Sequence, residues 1–440
     1  MAYSLTDFRR IRVLFPGPLG LGRGKYISSD AAVEGAGFCA GAFGVSYDRE
    51  LLDAPGAGLL DGLGDVRAQI DLDSLRPSWE DDATGVASVD LTADGELFEV
   101  SSRAALKKSV NRWVEAGYTA KVGIELEGYL VQPTEDGSWE RYKNPRSFVY
   151  GTGVLGDPSG YLDAVMAMAD KVGFNVESSN IEFDESQFEF TLRYDDAVRA
   201  TDDAFLFRIM AREVAIQMGL DFVFLGLPFP GVAGSGLHIN VSLIDQHGKN
   251  ALYDESEEYG FSALGRQCIA GMNAHHQGLT PLLAPTINAY RRLQPGTLTG
   301  CWANWGVDHR SVANRIPAEA GMAMRIENRL GDGAMSVHLG VAAILEAARL
   351  GVIDQLDPGP PYEGDGFEEG GDVKRSATSL SEALVHLTED SALVEALGEE
   401  LIGNFVVYKT YEVEKFEKSG DSITGDELSD FEREMYLPYH

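Results

Sequence analysis

The sequence predicts an α+β protein in which a strand-rich N-terminal domain (residues 1–104) precedes a larger second domain (105–440). Three observations carry this. Four segments alternate apolar and polar side chains with a period of two, as strands with one covered face do. Amphipathic segments with Ser or Thr in front and Gly behind lie between and after those strands, in no strict alternation with them. The first hundred residues are short strand-like runs broken by Gly, Pro and Asp.

Composition narrows the class. The 440 residues are 44% hydrophobic and 10% aromatic, as expected of a soluble folded chain. The 69 acidic residues outnumber the 36 basic ones for a net charge of −33, which repels nucleic acid and anionic membranes, so neither is expected as a partner. Cys39, Cys268 and Cys301 are far apart and form no Cys-x-x-Cys, which argues against a disulfide framework or zinc knuckle and suggests small core residues. The stretch Met1–Arg10 has no charged segment followed by an apolar run, and no apolar run of about 18 residues occurs. A cytoplasmic location is expected.

In chain order, Ile11–Phe15 and Lys25–Ile27 predict a hairpin joined by Pro16, Gly17, Pro18, Gly20, Gly22 and Gly24. A phosphate loop is excluded here, because Tyr26 follows Gly24–Lys25 and Leu19 occupies the position of the upstream Gly. Short strands and turns continue to about Phe98. Ser101 or Ser102 caps a helix with Leu106, Val110, Trp113 and Val114 on one stripe, stopped by Gly117. Further helices are predicted over Tyr161–Val172, stopped by Gly173, and Thr201–Met218, with Leu206, Ile209, Met210 and Val214 inward and Gly219 as stop. Long loops follow at Leu227–Gly234, Arg292–Gly306 and Asp357–Asp372, and loops of that length inside a domain are often functional. Helical patterns return at Leu380–Leu387, Ser391–Leu401 and Val406–Phe416.

The chemistry lies on the strands. In Val122–Leu130, Val122, Ile124 and Leu126 face one way while Glu125 and Glu127 share the other side. Alone, such a strand is the solvated face of an antiparallel sheet, but three later strands repeat the pattern. Around Glu182–Arg193, Phe188, Phe190 and Leu192 oppose Gln187, Glu189 and Thr191; in Gly236–Leu243, His238, Asn240 and Ser242 form the polar side; in Met322–Leu330, Arg325, Glu327 and Arg329 do. Glu125, Glu127, Glu182, Glu189, Glu327 and His238 make a hard-ligand inventory suited to Mg2+ or Mn2+, with charge enough for two ions. Divalent ions beside several Arg are the equipment of phosphoryl transfer. The pattern therefore points to a metal-dependent, ATP-using enzyme on an antiparallel sheet.

Six segments in order then resemble the glutamine synthetase family: GIELE (123–127), ESQFE (185–189), GSGLH (234–238), NAYRRLQPG (288–296), DHRSVANRIP (308–317) and RIENR (325–329). The resemblance implies a β-grasp N-terminal domain, a catalytic domain built on a curved antiparallel sheet flanked by helices, and hexameric rings, stacked as a dodecamer, with sites between subunits. It implies that Glu127, Glu182 and Glu189 hold one metal and Glu125, His238 and Glu327 the other. Arg310, Arg315 and Arg325 match the groups that grip ATP phosphates, with Arg310 on the transferring phosphoryl, and Glu177 and Ser242 lie near the nucleotide. Gly234, Arg292 and Arg329 match the glutamate pocket.

Departures from the family pattern bear on the amine. Leu298 stands where ammonia-using members carry a flap Glu, residues 38–46 lack the Asp expected to help bind ammonium, and Asp65 matches a second acidic position. Losing carboxylates from a cation subsite favours a larger, partly apolar amine. The segment Trp302–Arg310 is also more similar to the glutamate–amine ligase branch. A ligase joining glutamate to a polyamine or alkylamine is thus the leading expectation, with ammonia-using glutamine synthetase and a catalytically silent regulatory ring as alternatives. Ala233 replaces a frequent Asn, and Asn240 replaces a frequent second His.

Overall fold

The computed structural model describes residues 3–135, 138–367, 369–425 and 427–440, so Met1, Ala2 and Glu368 of the stretches considered above lie outside it. Two sheets organise the chain. The first contains β1 (Arg10–Pro16), β2 (Gly22–Ser28), β3 (Ala36–Cys39), β4 (Asp65–Ile70), β5 (Arg76–Pro77), β6 (Thr84–Ala93) and β7 (Glu96–Leu97), in the order β2-β1-β6-β4-β3 with β5 and β7 paired to β6. The expected hairpin forms, with Arg10 opposite Ser28, and β1 also runs parallel to β6.

The second sheet carries the predicted polar faces. It comprises β8 (Tyr118–Pro133), β9 (Trp139–Arg141), β10 (Val176–Ile181), β11 (Gln187–Asp196), β12 (Asp221–Val223), β13 (Leu237–Asp245), β14 (Trp305–Val307), β15 (Asn314–Ile316) and β16 (Ile326–Asn328). Their order is β10-β11-β8-β13-β16-β15-β14, with β9 and β12 on β8. Its pairings are antiparallel apart from β14–β15, which run parallel and make the sheet mixed where a purely antiparallel one was expected.

Helices cover the apolar face of this sheet. In α1 (Ser102–Glu115), Ser101 Oγ accepts the Ala104 N–H, and Gly117 at φ +92° turns the chain into β8. Helix α2 (Tyr161–Val172) has the predicted bounds, with Gly173 left-handed at its end. Helix α3 (Ala197–Gln217) starts four residues before its predicted start and packs on β8, β11 and β12. Val114 is exposed, not inward, and Ile209 is only partly buried. Cys39 is exposed rather than core, whereas Cys268 and Cys301 are buried.

Helices α4 (Ala263–Ala274), α5 (His276–Leu283) and α6 (Val337–Ile353) complete the layer. Every residue from Val337 to Ala348 is buried, and α6 packs on α1, α3, α4 and α5. A fully buried Val, Leu or Ile side chain contributes roughly 1.5–3 kcal/mol, so this helix is a main anchor of the core. The C-terminal helices are α7 (Leu380–Glu389), α8 (Ser391–Leu397), α9 (Glu399–Ser419) and α10 (Asp430–Met435); Gly398 ends the predicted Ser391–Leu401 helix early. Among the described residues no helix is long and apolar enough to cross a membrane.

A buried ion cluster ties the first sheet to the helices that cover the second. Arg103 of α1 bonds Asp202 of α3 at 2.7 and 3.0 Å, Asp71 at 2.5 Å, and Asp90 of β6; His338 of α6 meets Asp202 at 2.8 Å. Burial works against the Asp202 carboxylate, but Arg103 and His338 hold its pKa well below the usual range.

Candidate active site

Pairing register assembles the acidic face. Glu189 of β11 lies directly opposite Glu127 of β8, and His238 of β13 directly opposite Glu125. Asn240 is opposite Glu327 of β16, which is opposite Arg315 of β15. Four neighbouring strands thus deliver Glu125, Glu127, Glu189, His238 and Glu327 to one side of the sheet. Glu182 arrives from the turn that joins β10 to β11, where Asn180 Nδ2 donates to it at 2.8 Å.

Two subsets differ in charge. Glu125, His238 and Glu327 offer ligand atoms within 4.8 Å of one another. His238 Nδ1 lies 3.1 Å from Glu125 Oε2 and 3.7 Å from Glu327 Oε1. Glu327 also pairs with Arg315 Nη1 at 2.6 Å and with Arg329 Nη1. Burial opposes ionisation of Glu327, yet Arg329, His238 and Arg315 bring its carboxyl down to about 2. Glu125 is likewise held low against burial by its hydrogen bond and attraction to His238.

The second subset lacks such partners. No Lys or Arg pairs with Glu127, Glu182 or Glu189 among the described residues. Burial, then Glu125, Glu127 and Glu182, push the Glu189 carboxyl up to about 9. Burial and Glu127 push Glu182 up as well, and the Glu182 and Glu189 carboxyls hydrogen-bond each other, which needs a proton on one of them. A divalent cation would supply what that proton supplies. The all-oxygen set at Glu127, Glu182 and Glu189, and the oxygen–imidazole set at Glu125, His238 and Glu327, both fit hard divalent ions.

A cavity opens on each side of this centre. One, of about 460 Å3, is lined by Glu125, Glu177, Ser242, Asn240, Arg325 and Tyr194 among others. The other, of about 640 Å3, is lined by Glu127, Glu182, Gly234, Arg292, Leu298 and Arg329, and by Gln187, Val149, Phe183 and Phe367. The predicted nucleotide residues Glu177, Ser242 and Arg325 therefore share one cavity, and the predicted acid-binding residues Gly234, Arg292, Arg329 and Leu298 share the other. Arg315 reaches the centre through Glu327 and lines neither cavity. Arg310 is exposed on the turn after β14, lines neither cavity, and makes no hydrogen bond or ion pair with the described residues.

Contacts that sequence could not show support this geometry, and of the groups that make them Tyr129 and Tyr194 had not been singled out. Tyr129 Oη donates to Ala233 O at 2.7 Å and Gln187 Nε2 to Gly234 O at 3.1 Å, pinning the loop before β13. A Cβ on Gly234 would lie 2.8 Å from Arg292 Cγ and 3.0 Å from Gly226 O, so only glycine lets the loop pass the arginine. Arg292 donates to Leu330 O at 2.9 Å and Arg329 O at 3.4 Å. Exposed Tyr194 had no periodic signal beyond its place at the end of β11.

A mixed sheet that gathers five glutamates, a histidine and three arginines between two cavities defines an enzyme of phosphoryl-linked bond formation. Comparison with known proteins gives the family. The model of the glutamine synthetase catalytic domain matches residues 99–428. Glutamine synthetase of Thermotoga maritima is 32% identical over 333 residues, 72% of this chain and 73% of that one. The Halobacterium salinarum glutamine synthetase is 29% identical over 363 residues, 78% and 75% of the two chains.

The chain belongs to the glutamine synthetase family, and it is an ADP-forming carbon–nitrogen ligase. Solved structures agree over nearly its whole length. Ligand-free GmaS superposes with a TM-score of 0.82 at 28% identity, covering 97% of this chain and 96% of that one, and a GmaS–ADP complex gives 0.84 at 27%, covering 98% and 99%. A structure described as a novel glutamine synthase homolog gives 0.83 at 25%, covering 98% and 99%.

Proposed function

We propose that the protein joins the γ-carboxylate of L-glutamate to a primary amine, an alkylamine or polyamine, at the expense of ATP and through a γ-glutamyl phosphate. The observation that carries the reading is the make-up of the larger cavity. Arg292 and Arg329 supply cations suited to a dicarboxylic acid, while Val149, Phe183, Leu298 and Phe367 supply apolar surface suited to the carbon chain of an amine. Of the acids lining it, Glu127 and Glu182 belong to the cation centre, and Asp184 accepts the Ala233 N–H at 2.6 Å. Likeness to GmaS, a γ-glutamylmethylamide synthetase, supports the same choice.

In this reading Glu177, Ser242 and Arg325 hold ATP in the smaller cavity, and Arg315 and Arg310 act on its phosphates. Gly234, Arg292 and Arg329 orient glutamate so that its γ-carboxylate faces the γ-phosphate, which turns a bimolecular encounter into an ordered one. At least two Mg2+ or Mn2+ ions, held by the two ligand sets, would supply charge neutralisation for the oxygens of both reactants. Glu327 keeps Arg315 and Arg329 aligned at the point where charge is redistributed. Apolar cover then excludes water from the acyl phosphate while the amine attacks. We extend the proposal to a cytoplasmic, ring-shaped homo-oligomer whose sites lie between subunits.

A second reading, ammonia as the acceptor, is favoured by the names of the curated relatives. ADP formation with glutamate, Mg2+ or Mn2+, and either ammonium or a panel of mono- and diamines separates the two. Amine-driven turnover exceeding ammonium-driven turnover is expected, and the reverse order overturns the amine reading. Leu298→Glu should shift kcat/KM toward ammonium by about tenfold or more, that being the low end of what one changed pocket contact gives in selectivity.

A further inference from the structure

Asn240 is 7% exposed and joins two parts of the site. Its Nδ2 donates to Glu125 Oε1 at 3.0 Å, and its Oδ1 accepts from Arg325 Nε at 3.1 Å. The other Glu125 oxygen meets His238 Nδ1 at 3.1 Å, and the Arg325 guanidinium continues to Ala323 O at 3.1 Å and Glu319 at 3.3 Å. One amide therefore closes a continuous path from the cation-binding histidine to the arginine that lines the smaller cavity. The orientation of that amide is dictated by its neighbours, because a carboxylate only accepts and a guanidinium only donates.

Few side chains can do this. Aspartate would set a second carboxylate against Glu125, leucine of similar size would leave Glu125 Oε1 and Arg325 Nε without this bond, and a neutral histidine could donate from one ring nitrogen and accept at the other. We propose that Asn240 is a positioning residue that couples divalent-cation binding at Glu125, His238 and Glu327 to nucleotide binding at Arg325. A cation fixes Glu125; Glu125 fixes the amide; the amide aims Arg325 into the nucleotide cavity. Linkage makes the effect reciprocal, so nucleotide tightens the cation to the same degree. The inference rests on the functional reading of these two ligand sites.

Equilibrium binding of ADP to the full chain, with and without saturating Mn2+, measures the coupling as a ratio of dissociation constants. Chelation of Mn2+ by ADP in solution is common to all variants and cancels between them. Asn240→Leu should cut the ratio by about tenfold, within the range of coupling energies seen between linked sites, with a smaller change in metal-free affinity. Asn240→His should restore most of it, which a purely structural role would not require. Asn240→Ser, smaller and polar, provides a second disrupting variant should the leucine chain fail to fold. A wild-type ratio in the folded Leu or Ser variant overturns the proposal. Absence of ADP binding by the unsubstituted chain overturns the nucleotide reading and this inference with it, and is told apart because no substitution is involved.

Discussion

The protein contains two groups of three buried or half-buried carboxylates, and they are solved in opposite ways. At Arg103, Asp71, Asp90 and Asp202 surround one guanidinium, and Asp202 titrates low. At the sheet face, Glu127, Glu182 and Glu189 have no Lys or Arg partner among the described residues, only His238 Nε2 at 3.8 Å from Glu127, and burial with the neighbouring carboxylates pushes Glu189 up to about 9. The first group is closed by a residue of the chain and holds the first sheet to the helices over the second. The second is left open, a cost in stability that makes sense only for a site completed from solution.

Substitution should separate the two most strongly. Arg103→Leu strips the shared guanidinium from Asp71, Asp90 and Asp202, leaving only Lys107 on Asp90 and His338 on Asp202, and is expected to lower unfolding free energy by about 3–5 kcal/mol, read from a denaturant melt. Glu189→Gln removes repulsion and should leave the metal-free protein as stable as before or more so. If both variants lose stability alike, the contrast is broken. Glu327→Gln belongs to neither extreme, since its carboxylate is paired with Arg315 and Arg329 and also faces His238. Turnover should fall on the order of 100-fold or more, as when one preorganised electrostatic group is lost, while circular dichroism shows a folded chain.

Divalent cations sharpen the comparison next. Mn2+ at 100 times its dissociation constant should stabilise the wild type by about 2.7 kcal/mol, and Glu189→Gln should lose most of that gain. The last test is in pH. Glu189 binds its proton more tightly folded than unfolded, so the metal-free protein should lose stability as pH rises from near 5 toward about 9, and saturating cation should flatten that slope. Asp202 has the opposite sign: its depressed native value stabilises the fold above the unfolded value of about 3.9, and that contribution is lost as pH falls below it. Thermal midpoints across pH 3 to 9, with and without cation, test both arms.

What the sequence disclosed follows from period. Strands β8, β11, β13 and β16 each bury one face, so Glu125, Glu127, Glu189, His238 and Glu327 could be placed on a shared polar surface before any coordinates. Helix α2, half-buried and stopped by Gly173, was legible from about Tyr161 to Val172. Helix α6 was missed because it is apolar on every side and shows no stripe. The Arg103 cluster was missed because its partners come from segments as far apart in the chain as Asp71 and His338, and nothing local marks a paired aspartate. Glu182 entered the inventory only as a neighbour of the β11 pattern, since it sits in a turn where alternation has stopped, and its assignment to one metal came from the resemblance.

Strand β8 has a further consequence for how such a protein can change over time. Glu125 borders one cavity and Glu127 the other, so the compartments meet across a single two-residue repeat of about 6.6–6.8 Å. The walls of the larger compartment come mostly from connecting segments at 227–234, 291–299 and 367, whereas β8, β10, β11 and β13 build much of the smaller one. Under the proposed reading, acceptors could be exchanged by editing loops while the smaller compartment, fixed by strand register, is kept.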